Sequence, residues 1–137
     1  MNVNASDGTA RWRDRFAKTV AVLAGALFVL FGAWAFVAPR SFFQTVALFE
    51  PYNRHFTHDI GAFQIGLGAV LLLGAFLADA LLATLAGVAV AAAAHLVSHV
   101  IDRELGGTPA SDIPFFAVLA VALAAAAASR AGTARRR

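Results

Sequence analysis

The chain has 137 residues, of which 60% are hydrophobic and only 14% are charged, whereas a soluble domain carries about 25% charged residues. This composition excludes a disordered chain and an ordinary soluble enzyme, and it predicts a single membrane domain. The absence of cysteine excludes disulfide scaffolds and cysteine-ligated metal centres, and the net charge of +3 arises from basic residues near the chain ends, which argues against a nucleic-acid partner.

The first apolar segment predicts a membrane-spanning helix near residues 16–38. A bilayer core of about 30 Å needs about 20 apolar residues, and Phe16–Val37 meets that length with Lys18 as its only charge. Pro39 ends the segment because proline cannot continue the helical hydrogen bonds. The alternative is a cleaved signal peptide, since Ala33-Trp34-Ala35 resembles a cleavage site, but this apolar run exceeds the usual signal core of about 7–15 residues.

A short amphipathic helix is predicted after the first span, over Ser41–Glu50. Phe42, Val46 and Phe49 recur at helical spacing on one face, and Pro51 stops the run. Such a helix is typical of the outer membrane interface. It would serve either as a lid for entering lipid or as a simple interfacial anchor.

The stretch from Ile60 to Ile101 predicts a helical hairpin. It contains one charged residue, Asp79, and a single helix of this length would be about twice as long as the bilayer core is thick. We therefore expect spans near 60–78 and 81–101 with a turn at Asp79. The first of these spans is rich in glycine, and its Ala62-x-x-x-Gly66 pair is typical of close helix packing.

A fourth span is predicted near 113–130, with Ser111 or Asp112 as its cap and Pro114 in its first turn. Because hydrocarbon offers the backbone no hydrogen-bond partner, all four spans must be helical. The predicted fold is thus an all-α integral membrane four-helix bundle, with a short interfacial amphipathic helix between spans 1 and 2. One domain would cover residues 1–137, with cytoplasmic tails at 1–15 and 131–137.

The basic residues predict the orientation. Eight of them lie around the start of the first span and the end of the fourth, and three lie in the loops on the opposite side. The eight are Arg11, Arg13, Arg15, Lys18, Arg130, Arg135, Arg136 and Arg137, and the three are Arg40, Arg54 and Arg103. Because basic residues stay in the cytoplasm, we expect both termini there and a multi-pass protein of the plasma (inner) membrane.

All four histidines map to the extracytoplasmic end. His55 and His58 precede the second span, while His95 and His99 share one face of the third at spacing i, i+4. A polar cluster is expected around them, formed by Asp59, Gln64 and Asp102. Polar groups inside a membrane face a cavity, the helix interior or one another.

Three uses of this cluster are open. The four histidines His55, His58, His95 and His99 form a candidate site for a metal ion or haem, because imidazole suits zinc, copper and iron. The alternative is a purely structural network, in which His95 bonds Gln64 or a backbone carbonyl and His99 lies near Asp102. The third is pH sensing, since histidine titrates near neutral pH.

A resemblance supports the membrane architecture. The first span ends in Pro39-Arg40-Ser41-Phe42, and the second opens with Arg54-His55-x-x-His58-Asp59-Ile60-Gly61-Ala62. In size and layout, this chain resembles small four-helix membrane proteins of the actinobacterial type, the DoxX-like group. The resemblance implies a helical bundle and a plasma-membrane address. It implies no assigned biochemistry.

The function favoured by the sequence is a structural, accessory or lipid-interacting membrane protein. Its expected partners are the lipid bilayer and, through small-residue surfaces, a homo-oligomer or larger membrane complex. A metal- or haem-binding, redox protein is the alternative. A small oligomeric transporter is a further one, although no carboxylate lies in the middle of the first span. No catalytic motif is present, so the sequence gives no indication of an enzyme.

Overall fold

A computed structural model describes residues 3–77 and 79–134, with side chains described for 8–77 and 79–132. The regular structure within these residues is entirely helical, which confirms the all-helical prediction. Ala78 of the predicted hairpin turn and Arg135, Arg136 and Arg137 of the predicted basic tail lie outside the described residues.

Four of the helices are long and apolar enough to cross a membrane, as predicted. In chain order the helices are α1 (Val3–Val37), α2 (Pro39–Thr45), α3 (Arg54–Phe76), α4 (Leu81–Ile101) and α5 (Pro109–Ala134). The shortest of the four long helices, α4, has 21 residues, and at 1.5 Å per residue it is about 31 Å long, which matches the hydrocarbon thickness. The chain is therefore compatible with a multi-pass membrane protein.

Three of the long helices, α1, α3 and α5, begin earlier than the predicted apolar segments do. The polar extension of α1 is held by contacts at spacing i, i+4: Lys18 Nζ lies 3.0 Å from Asp14 Oδ2, and the Trp12 and Phe16 rings stack at 5.6 Å. Helix α5 begins at Pro109, where a proline fits because the first helical residue needs no N–H partner. The length of an apolar run predicts only the apolar part of a helix. Polar residues before that run can lengthen the helix when local contacts stabilise them.

The segment after α1 forms a shorter helix than predicted. Helix α2 ends at Thr45 instead of reaching Glu50, so Phe49 lies beyond it. Phe42 is buried, with its ring edge-on to Trp34 at 5.6 Å and to Phe31 at 6.4 Å. The predicted apolar stripe is thus split: Phe42 packs against α1, and Phe49 belongs to the following loop.

Helices α1 and α3 are antiparallel and approach each other closely at two pairs of glycines. A Cβ atom on Gly68 would lie 2.6 Å from the carbonyl oxygen of Gly25, and one on Gly32 would lie 2.7 Å from that of Gly61. On both helices the two glycines are seven residues apart, or about two turns. The predicted Ala62 and Gly66 pair faces outward instead, since Ala62 is exposed and Gly66 has no neighbour within 4 Å.

The most extensive helix contacts are α1 with α3 and α4 with α5, and α1 and α5 join these two pairs. We call the end where α1 begins and α5 ends the terminal end, and the end that holds the loops 46–53 and 102–108 the loop end. The main core combines α1, α3, α4 and α5 through buried residues such as Ala21, Leu71, Leu85 and Leu123. A smaller cluster around Phe42 lies at the loop end.

A buried ion pair joins α1 to α5 at the terminal end. The Arg130 side chain is only 9% exposed, and its Nη1 atom lies 3.6 Å from Asp14 Oδ1. Nearby, the Ser129 hydroxyl donates a hydrogen bond to the carbonyl oxygen of Arg13 over 3.3 Å. These contacts fix the register of the two helices where their sequences become polar.

The two loops at the loop end are tied together through their backbones. The Gly107 N–H donates to the carbonyl oxygen of Leu48 over 3.0 Å. Gly106 and Gly107 have φ values of +136° and +76°, which glycine adopts without strain. A Cβ atom on Gly106 would lie 2.6 Å from the Leu48 oxygen, so the loops meet where only glycine fits.

Candidate functional site

The clearest polar site is a pair of imidazoles on α4. His95 and His99 lie one turn apart, and their Nε2 atoms are 3.0 Å from each other. Their rings stack at 4.9 Å with planes inclined by 15°. At this separation one nitrogen must donate and the other accept, since two N–H groups would repel each other.

Phe116 of α5 provides the wall behind this pair. Its ring stacks on His95 at 4.2 Å and on His99 at 4.7 Å. Phe115 packs edge-on against Phe116 at 5.2 Å. Stacking against an aromatic plane restricts both imidazoles to nearly parallel orientations, so their Nε2 atoms converge.

A carboxylate faces the far side of His99. Asp112 Oδ2 lies 3.9 Å from His99 Nδ1, and both side chains are only 20% exposed. At this distance the two groups attract each other but do not form a hydrogen bond. The carboxylate therefore lies on the side of the His99 ring that faces away from His95.

Asp112 is itself oriented by the residues just before and within the first turn of α5. Its Oδ2 accepts from the Thr108 backbone N–H at 2.7 Å, and its Oδ1 accepts from the Thr108 hydroxyl at 3.0 Å. Ser111 Oγ lies 3.3 Å from Oδ1 as well. A carboxylate near a helix N-terminus is also favoured by the helix dipole. The carboxylate therefore has a fixed position beside His99.

The predicted polar residues occupy different positions from this site. Asp102 follows α4, where its backbone N–H donates to the Ser98 carbonyl oxygen, and Asp112 faces His99 in its place. Gln64 is half-buried on α3 and has no side-chain hydrogen bond within the described residues. The sequence predicts Asp112 only as a helix cap, because pairing across two helices leaves no spacing signal in the chain.

His55 and His58 lie at the start of α3 and contact other groups. His55 Nε2 is 3.6 Å from Asp59 Oδ2, in a pair whose side chains are 88% and 50% exposed. The His58 ring lies 5.2 Å from the Phe36 ring of α1. One histidine pair is thus associated with α1 and α3 and the other with α4 and α5.

Among the side chains described for residues 8–77 and 79–132, no group of three or more His, Asp or Glu residues is placed to hold a metal ion. Coordination of a metal ion or haem by His55, His58, His95 and His99 together stays a prediction. The placement of the side chains singles out His95 and His99 as the pair whose nitrogens already converge.

A second feature of the loop end is an apolar cavity of about 130 Å³ between the loop 46–53 and α3. Its lining residues are Phe43, Ala47, Phe49, Glu50, Pro51, Asn53, Phe56, Thr57 and Ile60. The polar members are engaged with the chain itself: Asn53 accepts from the Phe56 N–H at 3.1 Å, and Glu50 accepts from the Tyr52 N–H at 3.0 Å. The surface that the cavity presents to a ligand is therefore mainly apolar.

No protein-family model, curated protein or solved structure matches the chain. The resemblance to the DoxX-like group therefore rests on layout and motifs alone.

Proposed function

We propose that this chain is a multi-pass protein of the plasma membrane, with both termini in the cytoplasm, that has a structural or accessory, lipid-interacting role. The observation that carries the lipid-interacting role is the apolar cavity at the loop end, and the four long apolar helices support the membrane location. The resemblance to the DoxX-like group supports the same membrane address.

The exposed surface of the spans supports contact with lipid. In the most apolar stretch of each span, only 17–28% of the residues are buried within the chain. Large side chains such as Phe63, Val90 and Val118 are more than two-thirds exposed. Such a surface favours lipid or the helices of other membrane proteins over water, which suits a component of a homo-oligomer or larger complex.

The cavity supports a more specific interaction with an acyl chain. The cavity has a volume of about 130 Å³ and is partly open at the protein surface. Leu48 and Phe49 are each 39% exposed beside it, and Phe56 is 53% exposed. An acyl chain of the outer leaflet that enters the cavity would bury further surface of these side chains, which stabilises the complex.

Lipid retention tests this role. We expect purified protein to keep at least one phospholipid, detected by native mass spectrometry, and Phe56→Ser to lower the affinity for that lipid about tenfold, because removing a partly buried aromatic ring costs about 1.5 kcal/mol. Phe63→Ser is the matched control, since Phe63 lies on the same helix, is 77% exposed and does not line the cavity. Equal retention in the two variants contradicts the proposal.

The orientation is tested by single-cysteine labelling, because the chain has no cysteine of its own. In intact cells, a membrane-impermeant maleimide should label Glu104→Cys in the α4–α5 loop. It should label Asp79→Cys, in the turn between α3 and α4, only after the cells are permeabilised. Labelling of Asp79→Cys in intact cells would show the opposite orientation.

A further inference from the structure

We propose that His95 and His99 form a binding site for a divalent copper-type cation, with Asp112 as the positioning residue for His99. The site adds a cation-binding function to the lipid-interacting role and does not depend on it. It follows from the convergence of two imidazole nitrogens, a fixed carboxylate and an aromatic wall at the junction of α4 and α5.

The distance between the nitrogens allows both imidazoles to bind one cation. The two Nε2 atoms are 3.0 Å apart, and a metal–nitrogen bond of about 2.05 Å to each gives an N–metal–N angle of about 95°. That angle suits adjacent positions of a tetragonal site, the geometry of Cu(II) and Ni(II). A tetrahedral zinc site needs the two nitrogens only slightly farther apart, at about 3.3 Å, and the preference for copper comes from the higher affinity of Cu²⁺ than of Ni²⁺ or Zn²⁺ for nitrogen ligands.

Asp112 occupies the place of an outer-shell partner. A metal-ligating histidine usually gives its other ring N–H to a carboxylate, which fixes the tautomer and makes the ligating nitrogen more basic. At His99 a carboxylate lies on that side of the ring: Asp112 Oδ2 is 3.9 Å from Nδ1, which is beyond hydrogen-bond length but close enough to attract the positive charge of a cation-bound imidazole, and Nε2 faces His95. Because Asp112 faces the far nitrogen, the site has two protein ligands, and water fills its remaining positions.

The surrounding charges favour a cation. The loop after α4 and the start of α5 carry three acidic residues, Asp102, Glu104 and Asp112, against one basic residue. That residue, Arg103, is paired with Glu104 at 3.2 Å. His95 lies six residues before the end of α4 at Ile101, about 9 Å along the helix, so a cation can enter from the loop end without crossing the membrane.

Copper titration of the detergent-purified protein, prepared without a histidine tag, tests the site. We expect one Cu²⁺ per chain, with two nitrogen ligands resolved by electron paramagnetic resonance. His95→Gln and His99→Gln should each lower the affinity at least tenfold and remove one nitrogen from the spectrum. Asp112→Asn should weaken binding about 10-fold to 100-fold while both nitrogens remain.

The other two histidines provide the matched controls. His55→Gln and His58→Gln should leave the affinity and the spectrum unchanged, and circular dichroism with gel filtration shows whether each variant is folded. Absence of saturable binding, or unchanged binding in folded His95→Gln and His99→Gln, overturns the proposal. Equal losses in all four histidine variants overturn it as well and indicate the four-histidine centre instead. Lipid retention and topology are measured without copper. A negative result in those experiments would therefore contradict the proposed function and leave the copper site untouched.

Discussion

Replacing Gly68 by leucine is expected to separate α1 from α3 and to abolish recovery of folded protein. A Cβ atom at this position would lie 2.6 Å from the Gly25 carbonyl oxygen and 2.8 Å from the Val29 backbone nitrogen. Both atoms belong to the backbone of α1, so no side-chain rotation can relieve the contact. The milder Gly68→Ala should lower the free energy of unfolding by about 1–3 kcal/mol, the usual cost of overpacking.

Gly66 supplies the control on the same helix, two residues away. A Cβ atom there has no neighbour within 4 Å, so Gly66→Ala should leave the stability unchanged or raise it by up to about 1 kcal/mol through better helix propensity. SDS titration in micelles, followed by circular dichroism, measures both variants. Equal destabilisation by Gly66→Ala and Gly68→Ala would show that α1 and α3 are not in close contact at these glycines.

Replacing Asp14 by alanine should cost about 3 kcal/mol of stability. Removing one partner of a buried ion pair leaves the other charge with less compensation, at a cost of about 3–5 kcal/mol. Arg130 is the buried partner, with 9% of its side chain exposed, whereas Asp14 is 33% exposed. The partial exposure of Asp14 places the expected loss at the lower end of that range.

Lys18→Ala separates this effect from a general loss of charge pairing. Lys18 contacts the same carboxylate at 3.0 Å, but 47% of its side chain is exposed, so we expect a change below about 1 kcal/mol. The same SDS titration applies. Similar losses in Asp14→Ala and Lys18→Ala would indicate that burial of the guanidinium contributes little at this junction.

The sequence predicts those features that depend on neighbours along one helix. Four spans follow from apolar length, because an unpaired backbone cannot cross hydrocarbon. The contact between His95 and His99 follows from their spacing of four residues. Both depend on the periodicity of a single helix and on nothing about its partners.

Contacts between helices are the part that sequence reasoning missed. Gly61 and Gly68 face α1 while Gly66 does not, and the choice depends on how the antiparallel helix is rotated and shifted. Asp112 reaches His99 for the same reason, since the two residues lie on different helices. The shortening of α2 also reflects a partner, because Phe42 packs on Trp34 and Phe31 of α1.

The backbone link between Leu48 and Gly107 couples two segments that are distant along the chain. Gly107 precedes α5 by only two residues, and its N–H donates to the Leu48 carbonyl oxygen in the loop 46–53. Residues of that loop line the cavity, so a substitution at Gly106 or Gly107 should alter the cavity although neither residue lines it.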